Sequence, residues 1–171
     1  INQLYWILFS TSEFSSCRLR RGITFGICFV FRNGWISSIM RYPDKANKLP
    51  SLAKFFSNKN YSTSFYYGGN SDFCNMKSYC MNGGFKKLVD ENDFDSHMQK
   101  SKWGYHDEYV LTRQLQDMNN ETEPFFSTIM TLSNHEPFEV PAKSIFYDYD
   151  DASRFRNSAH YTDSCLGKYF E

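Results

Sequence analysis

Pro124 introduces F-F-S-T-I-M-T-L, residues 125–132, and the polar trio Ser133, Asn134 and His135 closes it. A run so continuously apolar and β-branched has no alternating face to give to water, which is the pattern of a central parallel strand covered on both sides. Covering both faces takes helices, and helical patterns flank the run. Upstream, Val110, Leu111, Leu115 and Met118 recur at helical spacing behind Asp107, whose carboxylate can accept hydrogen bonds from the free N–H groups of a first turn. Residues 119–123 end that helix. Downstream, Phe155, Ala159, Thr162, Leu166, Tyr169 and Phe170 lie on overlapping helical faces of a last element over residues 152–170, which is expected to pack on the sheet.

Further outward the same alternation continues. Leu52, Phe55 and Phe56 have helical spacing within residues 51–58, Lys59 and Asn60 follow, and residues 61–67 form an aromatic, hydroxyl-rich strand ended by Gly68 and Gly69. A short helix is expected over 73–81, closed by Asn82, Gly83 and Gly84, because glycine takes the left-handed conformation that ends helices without steric penalty. Residues 85–89 read as a second short strand and the polar stretch 90–102 as a surface connection. Strands separated by helices imply a mainly parallel sheet with right-handed crossovers, hence an α/β layer architecture. Ile23 to Phe31 is the longest apolar run, a buried strand or helix segment about half the roughly 20 residues needed to cross a bilayer. No other element of the first forty residues has clean periodicity.

Composition narrows the function classes. The chain has 171 residues, the size of one domain, with 41% hydrophobic, 19% aromatic and 22% charged residues, which excludes a disordered chain. Nineteen basic residues balance nineteen acidic ones, so no net field favours nucleic acid as a partner. Cys17, Cys28, Cys74, Cys80 and Cys165 form no C-x-x-C pair, and most of them read as small buried hydrophobes. Neither H-E-x-x-H, G-x-S-x-G nor the phosphate-binding G-x-x-x-x-G-K-S/T pattern occurs. Asp148, Asp150 and Asp151 match no calcium-loop spacing and read as solvent-facing and helix-capping.

Ligands in open α/β sheets bind beyond the carboxyl ends of the strands. Two loops qualify: Gly68, Gly69, Asn70, Ser71, Asp72 after the first strand, and Ser133, Asn134, His135, Glu136, Pro137 after the central one. His135 is placed to bond an anionic oxygen or to transfer a proton. A loop histidine without a role fits that position equally well, and the same holds for His106; His97 and His160 receive no role. The two glycines permit close backbone approach to an anion or simply make a turn.

Several strings occur in one order: S-I-M-R-Y-P from Ser38, S-T-S-F-Y-Y-G-G-N from Ser62, S-K-W-G-Y-H-D-E-Y-V from Ser101, T-L-S-N-H-E-P-F from Thr131, and A-H-Y-T-D-S-C-L-G-K-Y-F from Ala159. Over residues 38–171 the chain resembles the lipoteichoic-acid-synthase branch of the alkaline phosphatase and sulfatase superfamily. The resemblance implies a layered α/β fold, a membrane-anchored parent with this domain outside the cytoplasm of a bacterial cell, and a phosphodiester lipid headgroup as substrate. It also implies a divalent metal, Mn2+ or else Mg2+ or Zn2+, and a threonine nucleophile that forms a phosphoglyceryl-enzyme intermediate. The family's substrate-binding histidine falls on His135, with Asn134 beside it and Tyr67, Gly68 and Gly69 on the other loop.

The chain also departs from the family. Where some synthases hold glycerol phosphate with histidine, tryptophan and arginine, this sequence has Tyr67, Cys74 and Met76. The nucleophile segment resembles S-F-R-T-D-R-G in the family, and the nearest stretch here, Ser16 to Gly22, has Leu19 in place of the threonine. Leucine has no oxygen to attack phosphorus. The family's D-H-G metal pair normally follows the helix at 152–170, so no metal ligand is expected within this chain. The resulting expectation is a partial catalytic domain over 38–171, lacking its metal-binding part and anchor, behind a diverged or out-of-frame segment 1–37. Such a fragment is expected to be inactive alone, either as part of a transferase, as part of a sulfate or phosphate ester hydrolase, or as a non-catalytic binding module.

Overall fold

The computed structural model describes residues 5–10, 22–28, 40, 42–122, 124–147 and 149–171, the first two segments as backbone. The central strand, β7 (Phe125–Met130), is buried along its whole length, as its unbroken apolar pattern requires. It lies in the middle of a five-stranded sheet of order β1-β2-β7-β3-β4. Strands β2 (Gly22–Cys28) and β3 (Ser62–Tyr67) pair with it in parallel, and β4 (Lys87–Val89) continues the parallel ladder beyond β3. Strand β1 (Tyr5–Ser10) runs antiparallel to β2 at one edge. The mixed α/β sheet flanked by helices is the expected architecture, and the Ile23 run falls largely on β2.

Alternation along the strands builds a core on each face. Tyr66 and Ile129 point to one side, against Val110, Leu111, Tyr161 and Cys165. These come from helices α4 (Asp107–Asn120) and α5 (Asp151–Phe170). Phe65, Tyr67 and Met130 point to the other, against Met76 and Cys80 of α3 (Met76–Asn82). On the α4 side a polar seam crosses the core. Gln114 Nε2 donates to Ser127 Oγ at 2.6 Å, Ser64 Oγ donates to the same oxygen at 2.9 Å, and Tyr169 donates its hydroxyl to Gln114 Oε1 at 2.9 Å. Each buried polar atom in that seam has a partner, the condition under which burial is tolerated.

Three expectations need correction. The strand stops at Met130 rather than Leu132, because the Leu132 N–H leaves the ladder for the Asp107 carboxylate at 2.7 Å. The helix expected over 73–81 is broken: a short turn, Phe73–Asn75, precedes α3, with Cys74 (φ 53) and Asn75 (φ 63) both left-handed. Helix α2 (Leu52–Ser57) forms where the spacing placed it, with Ala53 buried, Phe56 stacked on Phe126 at 4.8 Å, and Leu52 and Phe55 facing solvent. Along α5 the buried stripe is Asn157, Ser158, Tyr161, Thr162 and Cys165, whereas Phe155 is exposed. The α5 stripe is polar because it meets polar partners: Asn157 pairs with the backbone of Ile145 and Phe146, Ser158 with the Asn134 side chain and Thr162 with the Asp107 carboxylate. Asp150 caps α5 as expected, its side chain accepting from the Ser153 N–H at 2.8 Å.

The stretch 90–102 is more than a surface connection. After a short helix α1 (Pro43–Ala46) and the elements above, a two-residue ladder forms between β5 (Lys100–Ser101) and β6 (Gly104–Tyr105). This hairpin lies against the carboxyl end of β3.

Candidate functional site

The two loops singled out by sequence follow the neighbouring parallel strands β3 and β7, and the β5–β6 hairpin bridges them at the carboxyl end of the sheet. Gly68 accepts the Tyr105 N–H at 2.8 Å, and Gly69 forms an isolated bridge with Gly104. A Cβ on Gly68 would lie 2.3 Å from the Tyr105 carbonyl oxygen, and one on Gly69 would lie 2.7 Å from that of Trp103. Gly104 itself has φ 144. The glycines therefore serve close approach of two backbones. Tyr67 belongs to the core cluster, where burial, helped by the nearby Glu91 and Cys74 charges, pushes its phenol up to about 12.

Opposite the hairpin stands the loop after β7. Trp103, at the hairpin tip, packs its ring on His135 with centroids 4.7 Å apart and donates its indole N–H to the Glu136 carbonyl. His135 Nδ1 lies 2.9 Å from the same carbonyl oxygen. A carbonyl can only accept, so the hydrogen-bond network assigns the ring proton to Nδ1. That leaves Nε2 as the ring nitrogen available to a ligand. Lys102 N–H donates to the Glu139 carboxylate at 3.0 Å, closing the hairpin onto the loop a second time. Three residues beyond His135, Phe138 has φ 63, a left-handed conformation that is costly for a bulky side chain, and Phe138 N–H bonds the His135 carbonyl at 2.8 Å.

Asp107, read from sequence as a helix cap, does something else. The residue before α4 is His106, whose side chain makes no cap bond, and Asp107 is the first helical residue, fully buried. Its Oδ1 accepts the N–H groups of Leu132 at 2.7 Å and Ser133 at 3.2 Å, and its Oδ2 accepts the Thr162 hydroxyl at 2.8 Å. Its own N–H donates to Ser133 Oγ at 3.2 Å. Asn134 is held from α5, where the Ser158 hydroxyl donates to its Oδ1 at 2.9 Å. His106 is buried beside Tyr161, and that desolvation holds its imidazole below the usual histidine range despite the Asp107 and Glu139 charges.

The described residues do not assemble a metal site. Among the described residues no group of three or more His, Cys, Asp or Glu side chains converges as ligands. Leu19, the residue at the expected nucleophile position, lies outside the described residues, as does Asp148.

A family model, Sulfatase, matches residues 17–171. This chain belongs to the sulfatase family. Among curated relatives of this sulfatase-family chain, lipoteichoic acid synthase 2 of Bacillus subtilis (strain 168) is 25% identical over 130 residues, 72% of this chain and 20% of that protein. The chain thus matches about a fifth of that relative's length. Among solved structures, a protein of the alkaline phosphatase superfamily from Vibrio parahaemolyticus superposes with TM-score 0.63 at 29% identity, covering 74% of this chain and 33% of that one. The phosphoglycerol transferase GacH of Streptococcus pyogenes, solved in complex with sn-glycerol-1-phosphate, superposes with TM-score 0.50 at 17% identity, over 64% of this chain and 31% of that one. The superposition on the Vibrio parahaemolyticus structure agrees with the mixed α/β architecture described above.

Sequence reasoning missed Trp103, Thr162 and Ser158 at this site, and misread Asp107. The W-G-Y-H-D string was visible, but nothing in its spacing says that its tryptophan meets a histidine more than thirty residues later.

Proposed function

We propose that this chain carries the headgroup-holding loops of a phosphoglycerol transferase of the lipoteichoic acid synthase type, with His135 as the group that meets the phosphoryl oxygen. The observation that supports it best is the His135 ring at the carboxyl end of the central strand, tied at Nδ1 to a carbonyl and packed on Trp103. With Nδ1 engaged by the carbonyl, Nε2 is the ring nitrogen that turns to the phosphoryl oxygen, and a hydrogen bond to an anionic oxygen is stronger than one between neutral groups. Asn134 and Ser133 hold the loop rather than the ligand, and Tyr67, Gly68 and Gly69 build the wall behind it. The bound sn-glycerol-1-phosphate of the Streptococcus pyogenes relative supports a phosphoglycerol headgroup.

In this reading the family's divalent metal, Mn2+ or another such as Mg2+ or Zn2+, would activate the nucleophile and neutralise phosphoryl charge. The described residues supply no site for it, so their share of the work is binding and orientation. With Leu19 at the nucleophile position, this chain alone binds headgroup without turning it over. The protein it serves is anchored in a bacterial membrane with this domain outside the cytoplasm. No helix among the described residues is long and apolar enough to cross a membrane. The family match also favours a second reading, ester hydrolysis on the same scaffold. Equilibrium binding of sn-glycerol-1-phosphate and of an aryl sulfate to this chain separates the two. Glycerol-phosphate binding without aryl sulfate binding supports the transferase type, and aryl sulfate binding alone overturns it.

A further inference from the structure

We propose that Asp107 is a positioning residue for His135, acting through a cap exchanged between the loop after β7 and the start of α4, 26 residues apart in the chain. In a local capping box a hydroxyl accepts from one end of a helix's first turn while a carboxylate returns to the cap N–H. Here the hydroxyl is Ser133 Oγ, accepting the Asp107 N–H, and the carboxylate is Asp107, accepting the Ser133 N–H. The two partners belong to different elements, so the pair locks the loop after β7 to the start of α4 instead of closing a single helix. His106, which stands where the cap residue should, is released from that duty.

The carboxylate suits this place. It is buried, and it is compensated by two backbone N–H groups, the Thr162 hydroxyl and the positive end of α4. Helix α5 supports this arrangement from two positions one turn apart: Thr162 holds Asp107 at the start of α4, and Ser158 holds Asn134 in the loop. Leu132, Ser133 and Asn134 are thereby fixed in succession, and His135 follows directly. Loop order of this kind lowers the entropy lost when a ligand engages the imidazole. The inference rests on the reading of His135 as the phosphate-binding group.

The test uses the whole chain with sn-glycerol-1-phosphate as probe. Two signals are followed in 15N spectra, the His135 ring nitrogens and the Trp103 indole N–H, alongside amide exchange of β7 as a fold control. In Asp107→Ala both ring signals shift and the affinity falls about tenfold or more. Thr162→Val, which leaves Oδ2 unpartnered, moves the same signals and weakens binding by about threefold, whereas Thr162→Ser restores wild-type behaviour. These fold-changes are smaller than the full worth of the hydrogen bonds removed, because the variants loosen the loop that presents His135 and leave the ligand's own contacts in place. Should Asp107→Ala fail to fold, the Thr162 pair carries the test. The proposal is overturned if the folded variants keep wild-type ring signals and affinity. If the wild-type chain does not bind the probe at all, the proposed function has failed, and the ring signals alone still decide whether Asp107 positions His135.

Discussion

Gly68→Ala separates two uses of the Tyr67-Gly68-Gly69 loop. If the glycines exist so that two backbones can touch, a single methyl forces them apart. The added Cβ lies 2.3 Å from the Tyr105 carbonyl oxygen, 3.1 Å from Val110 Cγ2 and 3.2 Å from the Tyr105 carbonyl carbon. Ordinary contact requires the hairpin to retreat by ~1 Å, an overpacking strain of about 1–3 kcal/mol. That retreat also lengthens the Tyr105 N–H to Gly68 bond of 2.8 Å, whose loss adds about 0.5–1.5 kcal/mol. The expected destabilisation is therefore roughly 2–4 kcal/mol, read as a lower urea midpoint at unchanged slope. Because Trp103 rides on the same hairpin and packs on His135, its indole N–H resonance moves as well. A loop that cradles an anion predicts the opposite pattern, near wild-type stability with lost anion affinity. A midpoint shift equivalent to less than about 0.5 kcal/mol, the scale of a surface substitution, with an unmoved indole signal refutes the backbone-contact reasoning.

Three further outcomes follow from the interior. Ser127→Ala leaves Gln114 Nε2 and Ser64 Oγ without their shared acceptor, and equilibrium unfolding is expected to show a loss of about 2–4 kcal/mol; a double variant with Ser64→Ala is less than additive because one stranded donor is gone. His106 has a lowered pKa in the folded state through burial, so between its folded value and the unfolded value near 6.5 the unfolded chain binds more protons. Stability then falls with falling pH by up to about 1.4 kcal/mol per unit, and His106→Gln flattens that slope in urea midpoints taken across the range. Burial pushes the thiol of Cys80 up to about 12 and that of Cys165 up to about 11, so mass-spectrometric alkylation at neutral pH is expected to modify neither until the chain unfolds.

Which features were legible in the sequence follows from the range of the interactions behind them. Strand β7 announced itself because a strand buried on both faces must be apolar at every position, and that pattern is local. Helix α4 was readable from Val110, Leu111 and its neighbours for the same reason. The β5–β6 hairpin was not, since two-residue strands have no period to detect and Lys100, Ser101, Lys102 look like any polar turn. Asp107 shows the limit most clearly. An aspartate before an amphipathic run is the local signature of a cap, yet its partners lie 25, 26 and 55 residues away and appear in no window of sequence. His135 was found through a motif, while the Trp103 ring that orients it was found only in space. The buried face of α5 was only partly read: Thr162 was placed on it, but Asn157 and Ser158 are polar and carry no apolar signal, while the exposed Phe155 does.

The central claim is that His135 meets a phosphoryl oxygen through Nε2, and calorimetric titration of the chain with sn-glycerol-1-phosphate tests it most directly. The titration is expected to show saturable binding that falls about tenfold or more in His135→Ala. Binding that is unchanged in His135→Ala contradicts the account.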